Sequence, residues 1–425
     1  MTWTDPVAAF RDLARRHERM FWLDGGGSRP WSGHRSILGW LEPEDVSLTY
    51  DAARREVWRV SHGGRTLVGD DIFAVLAEEV ARDGGDPSVS WVGWFGYASR
   101  PDLPAQVAPA HEPVTAVPDA VWMRSPRQLV FEHAPQPGRV AGRVPEPALD
   151  HNAAAGVDRA AYGDWFARVQ EQLRLGNTYE VNLTYRESLT SSADPVETYL
   201  RLRDLNPAPY AAYVRHHDTH VLSASPERFA TVDRNRWVET KPIKGTTPRG
   251  ATAEADEAQA EALRSDPRYR AENLMIVDLL RNDLSIVCEP GTVSVPVLMD
   301  VESYPSVHQL VSTVRGRLRD GIGTVGALRA LFPAGSMTGA PKLRTMQVIA
   351  DVETSARGVY AGALGWISGD GRADLGVVIR TLVHHDGRYT WGTGGGITVR
   401  SDPASEWDET RWKVARLLAA LERIT

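Results

Sequence analysis

Strand-like and helix-like stretches are mixed along this 425-residue chain without regular alternation. That order argues for an α+β architecture over a doubly wound parallel sheet, in which strand and helix follow one another in turn. Residues 57–60 and 91–97 read as strands, the second broken by glycines, and residues 69–83 read as a helix. The stretch 135–157 is rich in Pro, Gly and Ala, shows no periodicity, and reads as a linker or long surface loop. The pattern tightens after residue 158. A helix is expected over 160–175, ended by Gly176, and a strand over 181–189. Residues 221–224 and 237–240 read as strands flanking a turn. Residues 271–284 form a helix with apolar residues on most of its circumference, so it should be buried. Residues 358–368 and 375–383 read as paired strands around the turn Ser368-Gly369-Asp370-Gly371. The last helix starts with Asp402 as its N-cap and Pro403 at its first position. Two parts are expected: 1–150, ending in the linker, and 151–425, which holds the chemistry-bearing motifs.

Composition excludes several classes of function. Hydrophobic residues make up 42% and charged residues 24%, ordinary values for a globular protein. Net charge is −7 and there is no dense run of Arg and Lys, so nucleic acid and membrane surfaces are poor partners. A few local arginines can still hold an anionic substrate. One cysteine, Cys288, rules out an internal disulfide and suits a reducing cytoplasm. Its setting, Ile-Val-Cys-Glu-Pro, reads as a buried, inert thiol. The N-terminal residues show no basic-then-apolar leader, and no apolar run is long enough to cross a bilayer.

Lysine usage is more informative. Only Lys241, Lys244, Lys342 and Lys413 are lysine, among 48 basic residues. Arginine cannot lose its proton and act as a nucleophile, whereas lysine can. Lys244 sits in the short turn Lys241-Pro242-Ile243-Lys244-Gly245-Thr246, with Glu227 upstream in Ser225-Pro226-Glu227-Arg228-Phe229. A lysine near a carboxylic acid can form a covalent adduct while the acid protonates a leaving group. Taken alone it reads rather as a surface turn lysine. Glu272 lies early in the apolar helix, and Glu406 and Glu409 share a face of the last helix. Three such carboxylates either hold Mg²⁺ or serve as a helix-dipole match and a solvated Glu409–Lys413 pair. Gly392-Thr393-Gly394-Gly395-Gly396 is an anion-approaching loop or a flexible turn. Arg380, closing an apolar strand, clamps a carboxylate or forms a structural ion pair. Gly335-Ser336-Met337-Thr338-Gly339-Ala340-Pro341-Lys342 is not a nucleotide phosphate loop, because Pro341 breaks the required order.

Taken together and in this order, the motifs resemble those of the chorismate-utilising enzymes. That family includes anthranilate synthase large subunit, aminodeoxychorismate synthase component I, isochorismate synthase and salicylate synthase. The matching stretches are Asn206-Pro207-Ala208-Pro209-Tyr210, Ser225-Pro226-Glu227-Arg228-Phe229, the Lys244 turn through Gly250, and Ala271-Glu272-Asn273 through Asp283. They continue with the 335–342 motif, Ile379-Arg380-Thr381, and Ser401-Asp402-Pro403 leading to Glu406 and Glu409. The resemblance is strong over 159–425 and weaker before it.

It implies a large mixed α/β fold, with chorismate between two packed β-sheets surrounded by helices. It implies Mg²⁺ bridging the ring carboxylate to Glu272 and Glu409, with Glu406 close by. The enolpyruvyl carboxylate would meet Arg380, Tyr360 and the amide of Gly396. Gly245 and Thr246 would face the ring, His308 would lie near it as a catalytic residue, and Gly395 and Lys413 would complete the substrate site. Lysine at 244 is similar to the aminodeoxychorismate synthase branch, where anthranilate synthases usually have alanine. The implied chemistry is attack of Lys244 on C2 while Glu227 protonates the departing C4 hydroxyl. Ammonia then adds at C4, giving 4-amino-4-deoxychorismate on the way to 4-aminobenzoate. The implied partner is a glutamine amidotransferase subunit supplying ammonia, and the alternative reading is an anthranilate synthase large subunit. Isochorismate and salicylate synthases carry a lysine base where this chain has Glu180, and many relatives have glutamine there.

Overall fold

A computed structural model of the chain describes residues 5–25, 35–107, 117–133, 156–304 and 307–422. The strands among them pair antiparallel into two large sheets, as the irregular element order predicts. The nine-stranded sheet runs Gly339–Ala340, Glu180–Thr190, Arg388–Ile397, Thr381–His385, Thr219–Ser225, Tyr210–His216, Arg19–Asp24, Arg35–Trp40 and Gln128–Glu132. The twelve-stranded sheet begins Ile243–Pro248, Val307–Arg317, Trp237–Lys241, Arg228–Val232, Ala373–Val377 and Ala363–Ser368. It continues Ser90–Phe95, Ala120–Ser125, Ser47–Asp51, Glu56–Ser61 and Gly64–Gly69, with Ser294–Ser303 paired to Val307–Arg317 off that path. Strands from both the earlier and the later part of the chain lie in each sheet.

The sheets pack face to face. Phe21, Ala212, Val214, Val221 and Val383 of the first meet Val92, Trp94, Val121 and Leu364 of the second in one buried cluster. Burying each such side chain contributes about 1.5–3 kcal/mol. Helices cover the outer faces: Pro6–Arg16, Pro195–Leu205 and Pro403–Leu421 over the first sheet, Ile72–Arg82, Pro267–Val287 and Thr324–Leu331 over the second. Their starts are written in short polar side chains. Asp402 accepts from the Ser405 amide, Asp266 from those of Arg268 and Tyr269, and Asp71 from those of Phe73 and Ala74, each satisfying orphan donors of a first turn. The Arg159–Arg174 helix ends, as expected, just before Gly176, whose φ of +72° suits glycine.

Four expectations need correction. The stretch 375–383 is two strands in different sheets, Ala373–Val377 and Thr381–His385, joined by a crossing at 378–380. Leu375, Val377, Val378, Leu382 and Val383 are all buried, so the apolar run conceals the break. Its partner begins only at Ala363; residues 358–362 turn sharply, with Gly358 at φ +57° and Ala361 at φ +64°. Between 221–224 and 237–240 lies a further strand, Arg228–Val232, and not a simple turn. The helix over 271–284 extends to Pro267–Val287 and buries one face only, leaving Leu274 and Ile286 about half exposed because a helix lying on a sheet covers a single stripe. The expected loop at 135–157 falls almost wholly on residues 134–155, outside the described residues. Cys288 is buried, and burial pushes its thiol up to about 11, in line with an inert cysteine.

Candidate active site

Two of the chain's passages from one sheet to the other lie side by side. The first passage, between Thr219–Ser225 and Arg228–Val232, carries Glu227; the second, between Ala373–Val377 and Thr381–His385, carries Arg380. The Val377 amide donates to the Glu227 carbonyl (2.9 Å), and the Ala224 amide donates to the Arg380 carbonyl (3.1 Å), which locks the passages together. Beside them, near one edge of each sheet, is a cavity of about 350 Å³. Its walls include the Lys244 strand, the glycine-rich strand Arg388–Ile397, and the helices Pro267–Val287 and Pro403–Leu421. The run 392–396 is therefore sheet, with Gly396 opposite Asn182, and not a loop or flexible turn.

Of the residues expected at a site, Lys244, Glu227, Gly245, Thr246, Tyr360, Arg380, Gly395, Gly396, Lys413, Glu272, Glu406 and Glu409 all line this cavity. His308 does not. On the Val307–Arg317 strand its neighbour Gln309 lines the cavity. Alternation then turns His308 the other way, where Ser303 Oγ (2.8 Å) and Asp256 (3.0 Å) hold its ring.

The cavity holds groups poised for acid and nucleophile chemistry. Glu227 is buried, and its Oε1 accepts from Ser336 Oγ at 2.6 Å. Burial raises its carboxyl to about 7, against the opposing pull of Ser336 and Lys244, so it retains a proton at far higher pH than an ordinary glutamate. Lys244 Nζ donates to Glu180 Oε1, and both side chains are buried. Burial disfavours the lysine's charge, but Glu180 and then Glu272 outweigh it and raise its pKa. Gly245 has φ +90°, which places Lys244 in a bend that L side chains rarely follow.

All four lysines pair with a carboxylate: Lys241 with Glu302, Lys244 with Glu180, Lys342 with Asp283 and Lys413 with Glu409. The first three have side chains about one-tenth exposed, so lysine survives in this chain mainly inside it.

Arg380 lines the cavity with no side-chain hydrogen bond or ion pair among the described residues, and burial, then Arg416, lowers its pKa to about 10. A desolvated cation without a counter-ion is a ready clamp for a carboxylate. Tyr360 stands in the 358–362 turn with the Arg186 guanidinium 4.7 Å above its ring. Arg186 is in turn held by Glu353 at 3.2 Å.

The acidic wall is already tied to cations. Arg268 donates from Nε to Glu272 (3.0 Å) and from Nη2 to Glu406 (2.5 Å), while Glu409 pairs with Lys413 (2.7 Å). Lys413 also donates to the Gly394 carbonyl (2.8 Å). Burial raises the pKa of Glu272 and of Glu406, the latter with help from Glu409, whereas Lys413 lowers that of Glu409. Among the described residues no group of three His, Cys, Asp or Glu stands close enough to hold a metal as it is. The donor chemistry, all carboxylate oxygen with Glu272 and Glu406 bridged by one cation, nonetheless matches a hard divalent ion.

Sequence reasoning did not single out Arg268, Ser336 or Arg186. Arg268 was open to it, being four residues before Glu272 on the same helix face. Ser336 lay in a motif rejected as a phosphate loop and used otherwise only for the resemblance, with no role given to the serine. Arg186 had no local signal.

The sequence matches the family model described as chorismate binding enzyme over residues 49–419. It is 39% identical to the aminodeoxychorismate synthase of Streptomyces pristinaespiralis, over 99% of this chain and 64% of that protein, so it spans a little less than two thirds of that relative's length. It is 39% identical to aminodeoxychorismate synthase component 1 of Salmonella typhimurium, over 85% of this chain and 77% of that one. The crystal structure of anthranilate synthase component I from Streptococcus pneumoniae TIGR4 superimposes with a TM-score of 0.75 at 26% identity, covering 97% of each chain.

Proposed function

The chain belongs to the chorismate binding enzymes, and from that premise we propose that it aminates chorismate at C4 to give 4-amino-4-deoxychorismate. Its relatives named aminodeoxychorismate synthase support the reading. The observation that carries it is the pairing, across one cavity, of a buried lysine with a glutamic acid whose pKa is raised to about 7.

Arg380 binds one carboxylate of the dianionic substrate, and Tyr360 packs beside it. Gly245, Thr246, Gly395, Gly396 and Lys413 line the space left for the ring. Glu272 and Glu409, with Glu406 adjoining, would hold Mg²⁺, which when bound supplies positive charge to the ring carboxylate. Lys244, once neutral, attacks ring C2; both ring double bonds shift in turn and the C4–oxygen bond breaks as Glu227 delivers its proton to the leaving hydroxyl. Ammonia then attacks C4 and expels the lysine, and Glu227 takes back a proton. Two allylic displacements put nitrogen on C4, where one would put it on C2. His308, held outside the cavity, orders Asp256 and through it the Gly250 turn that follows the Lys244 strand.

Ammonia comes, on this reading, from a glutamine amidotransferase partner. The relative named component 1 fits a two-component enzyme, and Cys288 is too buried and too basic to cleave glutamine. We propose a cytoplasmic setting, which a chain with one cysteine suits; no helix among the described residues is long and apolar enough to cross a membrane. Lys244→Ala tests the proposal: with chorismate, Mg²⁺ and ammonium it should form no 4-amino-4-deoxychorismate, and unchanged formation would overturn the covalent route.

A further inference from the structure

Glu180 is fully buried and stands behind Lys244, outside the cavity wall. Its Oε1 accepts from Lys244 Nζ, and its Oε2 is buried with no hydrogen-bond partner among the described residues. Room for the pair comes from Gly396, where a Cβ would lie 2.5 Å from Glu180 Oε1 and 3.0 Å from Lys244 Nζ. A carboxylate so placed is an acceptor already in hydrogen-bond contact with the group that carries a proton, with its second oxygen still open.

Lys244 needs such an acceptor. An ammonium group has no lone pair for attack, yet the facing carboxylates keep this lysine charged at rest. Those carboxylates are Glu180, Glu227 and Glu272, with Glu409 further off. Glu227 is required as the acid for the leaving hydroxyl, so it cannot also be the base. Glu272 and Glu409 belong to the wall bound by Arg268 and Lys413. Glu180 touches neither the substrate space nor that wall, but it does touch the nucleophilic nitrogen.

Resting on the reading of Lys244 as nucleophile, we propose that Glu180 is the catalytic base that takes the lysine's proton. One proton passes from Nζ to Glu180, leaving a neutral amine beside a neutral acid. Nζ bonds to C2, the C4–oxygen bond breaks, and the Glu227 proton leaves with the hydroxyl as water. Ammonia bonds to C4 and the C2–Nζ bond breaks, releasing neutral lysine. The new ammonium returns a proton to Glu227, and Glu180 returns its own to Lys244. The balance is chorismate plus ammonia giving aminodeoxychorismate plus water, with both acids and the lysine restored.

The test is the rate of Lys244 adduct formation, read by intact-protein mass spectrometry after acid quench. The full chain is mixed with chorismate and Mg²⁺ without ammonia from pH 6 to 9, and Lys244→Ala sets the background. The parent should form the adduct at a level rate up to about pH 7, since its proton moves inside the pair, and more slowly above that as Glu227 gives up the proton the leaving hydroxyl needs. Glu180→Gln, which keeps shape but cannot take a proton, should be slower near neutral pH by about a hundredfold. Relative to the parent, its rate should climb about tenfold per pH unit, because the lysine must now lose its proton to solvent. Glu180→Asp should keep the parental profile, and chorismate KM should move little in either variant. Adduct formation by Glu180→Gln at the parent's rate and with the parent's pH profile overturns the role of Glu180 and leaves the nucleophile standing. No adduct in the parent overturns both.

Discussion

Replacing Glu227 by glutamine should stabilise the protein and disable it together. Below about pH 4.5 this carboxyl is protonated whether the chain is folded or unfolded, so pH has no leverage through it. Between there and about 7 the unfolded chain gives up the proton while the folded one keeps it, and stability falls as pH rises. The span from 4.5 to about 7, at about 1.4 kcal/mol per unit, amounts to about 3 kcal/mol, fully lost by pH 8. Glutamine retains an oxygen for the Ser336 hydroxyl and never ionises. Urea unfolding of parent and Glu227→Gln at pH 5 and pH 8 should show the variant's advantage growing by most of that amount. Turnover should fall by about a hundredfold to ten-thousandfold, the usual contribution of a general acid. A stability difference that is the same at both pH values would refute the buried-acid argument. Parental turnover in the variant would remove Glu227 from the chemistry.

Other perturbations follow from the same geometry. Gly396→Ala should drive Glu180 and Lys244 apart and lower turnover by about a hundredfold, the penalty of an ångström-scale misplacement, as measured by initial rates at saturating chorismate. Arg380→Lys exchanges a planar fork for a point charge and should raise the chorismate KM by about tenfold or more with the fold retained, as read by circular dichroism. Arg268→Gln frees Glu272 and Glu406 from their cation, so Mn²⁺ binding without chorismate, followed by electron paramagnetic resonance, should tighten; weaker binding would make Arg268 part of the metal site.

Much of the site was legible in the sequence because its parts lie in short, ordered motifs with distinct residue types. The lysine turn, the Ser-Pro-Glu passage and the glutamates of two capped helices converge on one cavity although they lie far apart in the chain. What escaped notice was what only the third dimension brings together. The apolar run through 375–383 hid a passage between sheets, since both halves are buried and share one hydrophobic signature. The glycines of 392–396 read as loop because glycine disfavours strands, yet here a Cβ at Gly392 would lie 2.3 Å from the Tyr360 ring and one at Gly396 2.5 Å from Glu180 Oε1. His308 was drawn toward the cavity by resemblance, while strand alternation gives that direction to Gln309. Glu180 stood out only as an unusual residue until the fold set it against Lys244.

The nitrogen's position on the ring tests the account most directly. The chain, chorismate, Mg²⁺ and ammonium chloride should be incubated and the products resolved by liquid chromatography with mass detection, with pyruvate assayed in parallel. The account predicts 4-amino-4-deoxychorismate with its enolpyruvyl group intact and no pyruvate released. Fluorescent anthranilate with one pyruvate per turnover would contradict it, because Lys244 would then not be directing ammonia to C4.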